Sequence, residues 1–462
     1  MPSETAPESA DDVDPSTLPL PPYPPEVPSR VSQFYQQASD VFAFGERALT
    51  SRDVVRTWMP GRENYLLGHP DHLKRALLTD RETFGKSEDF RIAFGEGLVT
   101  VEGEEWRRQR DALQPLFTRE AVTEYADGMT TQIHRRIDRW SDGERLDLQA
   151  EFTDLTLEVL FATVLGRELE LDGDERLRRA AERLHGWFQP TSYVLPNWMP
   201  TPSRRRFRSG KEAIREEADR LLAEAAAGAP SDPADADDLL SLLVGIRESG
   251  GTDSAMLSDE RLRDQMVTMV FAGHDTTTTT LTFACWALAN NPSVRDRFHE
   301  EVDALGADPT VDDVADLGVT DRVITETLRL FPPVYVIPRE VREETAVGGY
   351  RIPEGANVLL PVREIQRDGR FFEAPTQFRP GRWTGDLPRE LHDFAYAPFG
   401  GGPRICIGRT FALIEAKLAL ATIGRRYRLE WRGTNAPSGE PPTDPGMTMR
   451  MEPGQRFEIV ER

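Results

Sequence analysis

Cysteine is nearly absent from this chain of 462 residues: only Cys285 and Cys406 occur. That excludes a framework of disulfides and a structural zinc site built mainly from thiolates. Lysine is scarce as well, with Lys74, Lys86, Lys211 and Lys417 the four non-arginine members of 56 basic residues. No stretch of about 20 apolar residues runs clear of charge, as a membrane-spanning helix needs. The longest candidate, Val267 to Asn291, is interrupted by His274, Asp275 and a run of threonines. The N-terminus lacks a basic start followed by an apolar run, so no signal peptide or membrane anchor is expected, and a cytoplasmic protein follows by default. Acidic residues outnumber basic ones over the whole chain, to a net −22. The arginine excess fits a GC-rich genome. The acidic balance fits a halophilic, high-salt cytoplasm, where mutual repulsion is screened. An acidic surface also argues against nucleic acid as a partner.

What is present is enough for a sizeable core, with 39% apolar residues. Residues 1–28 are rich in proline and acid and are expected to form a flexible tail. Beyond them no composition shift or repeat divides the chain, so residues 29–462 are expected to form one large domain. Gly68 to Asp80 reads as a short helix opened by Pro70, and apolar residues recur at helical spacing over 120–140, 149–166 and 203–228. Gln189 to Ser203, with four prolines and four nearby aromatics, reads as a mobile loop able to cover a pocket. Residues 231–238 form an acidic linker. The helix expected over 258–291 is apolar on nearly all sides at its centre and should run through the interior. A helix follows Pro292, and another over 320–330 is stopped by Pro332-Pro333. Short strands are expected in 334–362 and 447–460, and a last helix from Ile407 to Arg425. The fold class is mainly α with minor β.

The segment Phe399-Gly-Gly-Gly-Pro-Arg-Ile-Cys-Ile-Gly408 carries the strongest chemical signal. Its glycines let backbone approach a flat ligand closely. Cys406 stands just before an expected helix, whose N-terminal amides favour a thiolate. Gly408 leaves room for a backbone N–H beside the sulfur, and Arg404 can neutralise a carboxylate. A nucleotide-phosphate loop is the competing reading, but the strand–GxGxxG–helix context is missing. Within the central helix, Asp275 and Thr276 are polar groups that are costly to bury. Thr276 can bond back to the Ala272 carbonyl and bend the helix, which Gly273 makes easier. Glu326 and Arg329 share one helix face among apolar neighbours.

These residues resemble the cytochrome P450 family of haem-thiolate monooxygenases. The family loop F-x-x-G-x-R-x-C-x-G is matched at Phe399, Gly402, Arg404, Cys406 and Gly408. Glu326-Thr-Leu-Arg329 is similar to the family's E-x-x-R pair, and Phe378-Arg-Pro-Gly-Arg-Trp383 to the arginine segment after it. Ala272-Gly-His-Asp-Thr276 is similar to its oxygen-binding stretch, and Trp106 to Arg110 to its W-x-x-x-R element. All occur in the family's order, over residues 30–462.

The resemblance implies a single large two-lobed domain around a buried haem b. Cys406 is its axial iron ligand, Asp275 and Thr276 deliver protons to bound dioxygen, and Ala272 lies beside it. Trp106, Arg110, Arg339 and Arg404 hold the haem propionates, bidentate arginine being suited to carboxylates. Glu326, Arg329 and Arg382 form a structural triad. Phe90, Ile92, Phe94, Leu98 and Phe271 are expected to line a substrate pocket, with Val334, Tyr335, Val336 and Met447. Those side chains suit a lipid, terpenoid or fatty-acyl molecule. The implied partners are O2, the apolar substrate and a ferredoxin with its reductase, docking near Arg107, Arg108, Arg409 and Lys417. A monomer is expected. A peroxide-driven enzyme and a haem-based sensor are the alternative classes.

Overall fold

The computed structural model describes residues 14–27, 29–188, 199–228, 240–241, 244–245, 258–434 and 439–462. The chain divides into two compact units. The first comprises Met1–Asp89, Val334–Gln377 and Asp386–Cys406; the second comprises Phe90–Pro333, Phe378–Gly385 and Ile407–Arg462.

The first unit is built on a five-stranded sheet. Its strands are β1 (Val54–Met59), β2 (Arg62–Leu67), β3 (Phe84–Gly85), β4 (Ile337–Val341) and β5 (Asn357–Leu360), in the order β1-β2-β5-β4-β3. Only β2 and β5 run parallel, with Tyr65 opposite Val358. Alternation along the strands sorts their side chains onto two faces. Val54, Tyr65, Leu67, Val358 and Leu360 join one core with Leu73, Leu77 and Phe394. Val55 and Leu66 join the other with Val27, Phe44 and Ala48. The short helix expected after Gly68 is Pro70–Lys74, continued by a π turn over Arg75–Thr79.

The tail expected at 1–28 is corrected for residues 14–27. Pro21, Pro24 and Val27 are buried. The Pro22 carbonyl accepts from Arg56 N and the Pro19 carbonyl from Arg351 N, both at 2.9 Å. Beyond a 3-10 turn at Pro15–Thr17, proline carbonyls along the extended segment remain acceptors and hold it to the edge strand β1 and to the strand Tyr350–Ile352.

The second unit is mainly helical, with α1 (Gly103–Leu113), α2 (Arg119–Ile137), α3 (Leu148–Thr163), α4 (Pro202–Gly228), α5 (Asp259–Asn290), α6 (Pro292–Ala304), α7 (Gly318–Leu330) and α8 (Arg409–Arg426). Strands Arg145–Leu146, Tyr427–Trp431 and Phe457–Glu461 form a small sheet. A hairpin pairs Thr443–Pro445 with Met449–Met451. Helix α5 runs through the core, and the threonines past Asp275 tie it to α3. Thr278 donates to Phe152 O at 3.1 Å, and the Thr156 hydroxyl donates to His274 O at 3.0 Å. Two of the expected features, the loop 189–203 (up to residue 198) and the linker 231–238, lie outside the described residues.

Candidate functional site

In the first unit the Cys406 loop is closed by two backbone bonds, Cys406 N to Phe399 O at 3.0 Å and Ile405 N to Gly402 O at 3.2 Å. Gly402 has φ +65°, and a Cβ there would stand 2.2 Å from the Leu77 carbonyl oxygen. A Cβ at Gly401 would meet the Phe394 ring at 2.3 Å. Two glycines of the run thus serve the packing of the loop on its own unit, a role beyond the ligand approach expected from sequence. Buried Gln366 accepts from Ala397 N at 2.9 Å and props the segment that leads into Phe399. Arg339 is buried on β4 and Nη1 donates to Pro338 O at 2.8 Å.

The two cysteines have opposite surroundings. Cys285 is buried within α5, and desolvation drives its thiol pKa far up. Cys406 is exposed, two residues before the N-cap of α8. The Cys406 sulfur is therefore the one suited to hold a metal as thiolate. At Gly408 an added Cβ would touch only the Phe117 ring, at 3.9 Å, so the backbone there is open.

In the second unit, every residue of α5 from Asp264 to Leu288 is buried except Ala272, Gly273 and Thr276. Positions i, i+1 and i+4 lie on one helix face, so the buried helix has a single opening, lined by a methyl, a bare backbone and a hydroxyl. Thr276 Oγ1 donates to the Ala272 carbonyl at 2.9 Å. Gly273 is small for a second reason, since a Cβ would approach Leu160 of α3 to 3.1 Å.

Asp275 is wholly buried. The Thr448 hydroxyl donates to Oδ2, while His185 Nε2 stands 3.4 Å and Arg450 Nε 3.3 Å from Oδ1. Burial alone would raise its pKa; His185, Arg450, His274 and Thr448 overcome that and hold the carboxyl below its ordinary value. Desolvation lowers the His185 pKa to about 4, against the pull of Asp275. None of His185, Thr448 and Arg450 was singled out from sequence, because they come from segments with no fixed spacing to α5.

Glu326 and Arg329 are both fully buried, with Nε to Oε2 and Nη2 to Oε1 at 2.9 Å. Arg382 Nε and Arg379 N each reach Glu326 Oε1 at 2.9 Å, and Trp383 Nε1 donates to Oε2 at 2.8 Å. The carboxylate is saturated by four groups, which is what a buried charge needs. Trp383 adjoins Arg382 in the sequence, and its indole N–H was the available signal.

Of the other candidates, Trp106 and Arg110 are half-buried on α1, with Arg110 Nε donating to Gln114 at 3.0 Å. Phe94 packs on Phe271 with centroids 4.9 Å apart and on Phe90 at 6.2 Å. Leu98 is buried near them in sequence, Ile92 is exposed and Met447 half-buried. In the first unit Val334 is exposed, Val336 half-buried, and Tyr335 sets its ring edge-on against Phe42. The cations expected to dock a donor are partly committed. Arg107 and Arg108 share Glu104, and Lys417 holds Asp321 at 2.6 Å.

The model of the cytochrome P450 family matches residues 21–456. The chain belongs to the cytochrome P450 family. This P450 is 33% identical over 389 residues to cyclooctatin synthase of Streptomyces melanosporofaciens, with 82% of this chain and 83% of that one covered. It is 32% identical over 387 residues to pentalenene oxygenase of Streptomyces avermitilis, covering 82% and 84%. The crystal structure of the cytochrome P450DA heme domain superposes with a TM-score of 0.78 at 26% identity, covering 96% of each chain. The P450 is thus an oxidoreductase, a monooxygenase of apolar substrates, in a family that implies a haem-thiolate cofactor. Among the described residues no helix is long and apolar enough to cross a membrane.

Proposed function

We propose that this P450 hydroxylates a terpene-type or similarly lipid-like hydrocarbon, with Cys406 as thiolate ligand of haem b and with Asp275 and Thr276 handling protons. The observation that carries the reading is the single opening of α5 at Ala272, Gly273 and Thr276, with the charged Asp275 carboxylate buried next to it. Haem, when bound, supplies the iron at which O2 is activated, in the net reaction RH + O2 + 2 electrons + 2 protons to ROH + H2O. Trp106, Arg110, Arg339 and Arg404 are the groups assigned to its carboxylates.

Thr276 contributes a hydroxyl that donates to a carbonyl of its own helix, so it can turn to donate elsewhere. Asp275 is held ionised by its neighbours and accepts a proton before giving one up. The acid–alcohol pair favours O2-driven turnover over the peroxide-driven alternative. Phe90, Phe94, Leu98 and Phe271 supply apolar surface for the substrate. The names of the relatives above, and of cyclooctat-9-en-7-ol 5-monooxygenase at 31% identity, support a terpene-type substrate. A ferredoxin with its reductase is the proposed electron source, docking at Arg107, Arg108, Arg409 and Lys417. Reversing the charge of Arg107 and Arg108 should slow donor-driven reduction, and an unchanged rate removes that surface.

The deciding experiment is the carbon monoxide spectrum of the reduced protein beside Cys406→Ala, followed by substrate-induced spectral titration with cyclic terpene hydrocarbons. A strongly red-shifted Soret band lost in the variant, with a spectral response to the hydrocarbons, is expected. A histidine-like carbonyl band overturns the ligand assignment. Response to charged ligands alone overturns the substrate class.

A further inference from the structure

Three donor groups meet in the interior of the second unit. His185 comes from the turn Leu184–Phe188, and His274 and Asp275 come from α5. Their exposures are 7%, 0% and 0%. One donor atom from each lies within 4.8 Å of the other two, and His185 Nε2 is already 3.4 Å from Asp275 Oδ1. Zinc bonds of roughly 2.0–2.1 Å in a tetrahedron place donors about 3.3 Å apart, so that edge has the spacing of a filled site.

The far side of two of these groups is fixed in the manner of metal ligands. The His274 ring engages the Val270 carbonyl through Nδ1, which leaves Nε2 without a hydrogen-bond partner. Thr448 occupies Oδ2 of Asp275, which leaves Oδ1 without one. Ligating imidazoles and carboxylates are oriented by such outer contacts. Neither ring nitrogen of His185 has a hydrogen-bond partner. Buried polar atoms are ordinarily bonded, and here two unbonded ones, His185 Nε2 and Asp275 Oδ1, stand 3.4 Å apart. An open cavity of about 580 Å³ borders His185, with Glu182, Arg179, Arg183 and Arg206 also in its wall.

We propose that His185, His274 Nε2 and Asp275 Oδ1 bind a divalent ion of the zinc class, and that its arrival inhibits the enzyme. The inhibitory half rests on the proton role assigned to Asp275 above: a carboxylate that ligates zinc no longer exchanges protons. Three protein ligands leave a fourth position for water. Arg450 competes for the same oxygen, with Nε 3.3 Å from Oδ1 while Nη2 reaches Thr153 Oγ1 at 3.3 Å. The guanidinium and the ion exclude each other, so zinc is held weakly until Arg450 is displaced.

The test uses the haem-loaded protein dialysed against buffered zinc, with zinc per chain measured by mass spectrometry and its ligands by zinc-edge X-ray absorption. One equivalent with imidazole scattering is expected. Arg450→Gln should raise zinc affinity about tenfold or more, by removing a cation beside the ligand. His185→Ala should abolish binding, and His185→Phe, which keeps ring packing on Phe271, should do the same if the alanine variant misfolds. No zinc retained by the parent or by Arg450→Gln overturns the site, as does retention by His185→Phe. Zinc should also slow turnover of the parent and spare a His185 variant. Stoichiometric binding through these ligands with turnover unchanged would keep the site and overturn the proton role of Asp275.

Discussion

Trp383 donates its indole N–H to Glu326 Oε2 at 2.8 Å, from a segment 57 residues further along the chain. The bond completes the set around a carboxylate that is fully buried and already paired with Arg329 and Arg382. Trp383→Phe should cost about 1–2 kcal/mol, since it leaves one acceptor position short while keeping the ring. Glu326→Gln should cost about 3–5 kcal/mol, because two buried guanidinium groups lose their counter-charge. Chemical denaturation of the three proteins checks the order; equal losses would mean that the indole carries as much as the charge.

Gly402 and Gly408 bracket Cys406 and should respond very differently to alanine. At Gly402 a methyl group meets the Leu77 carbonyl at 2.2 Å in a backbone with φ +65°. Clash and left-handed strain together should cost about 3 kcal/mol or more. At Gly408 the methyl group meets only Phe117 at 3.9 Å, so the expected loss is the ~1 kcal/mol of a poorer helix cap. Thermal unfolding of the haem-free chain separates the two.

Glu415 on α8 predicts a pH dependence. Burial pushes its carboxyl up from 4.5 to about 8, with the Thr277 hydroxyl pulling back. The folded chain therefore keeps a proton that the unfolded chain releases above pH 4.5. This contribution to stability is full below 4.5 and is lost as pH rises through 8. Glu415→Gln should match the parent near pH 4.5 and melt higher than the parent near pH 8. Parallel melting curves across that window would show that the carboxyl is solvated.

Thr276→Ala removes a hydroxyl that bonds to the Ala272 carbonyl of its own helix. Stability should change by less than about 0.5 kcal/mol. Product formed per O2 consumed should fall by about a hundredfold, at the lower end of what lost proton-transfer catalysis costs, and Thr276→Ser should restore much of it. Oxygen uptake measured alongside product decides this, and unchanged coupling would assign Thr276 to packing.

The long elements and the Cys406 loop were legible because their signals are local. Helix α5 shows its burial in an apolar stretch, and Thr276 finds Ala272 four residues back. Glu326 and Arg329 meet by helical spacing alone. The surroundings of Asp275 were not legible, since His185 arrives from 90 residues upstream and Arg450 from 175 downstream, each placed by packing with no local pattern. The segment 14–27 misled for a related reason. Its prolines argue against a long α-helix, but they say nothing of carbonyls that pair with Arg56 and Arg351.

The parallel pairing of β2 with β5 has a consequence for synthesis. Asn64 and Asn357, whose side chains bond at 2.6 Å, are 293 residues apart. At roughly 5–20 residues per second a ribosome needs about 15–60 s to travel between them. For that time the β1–β2 hairpin has one unpaired edge and two apolar faces, and the nascent chain depends on whatever shields that edge until β5 emerges.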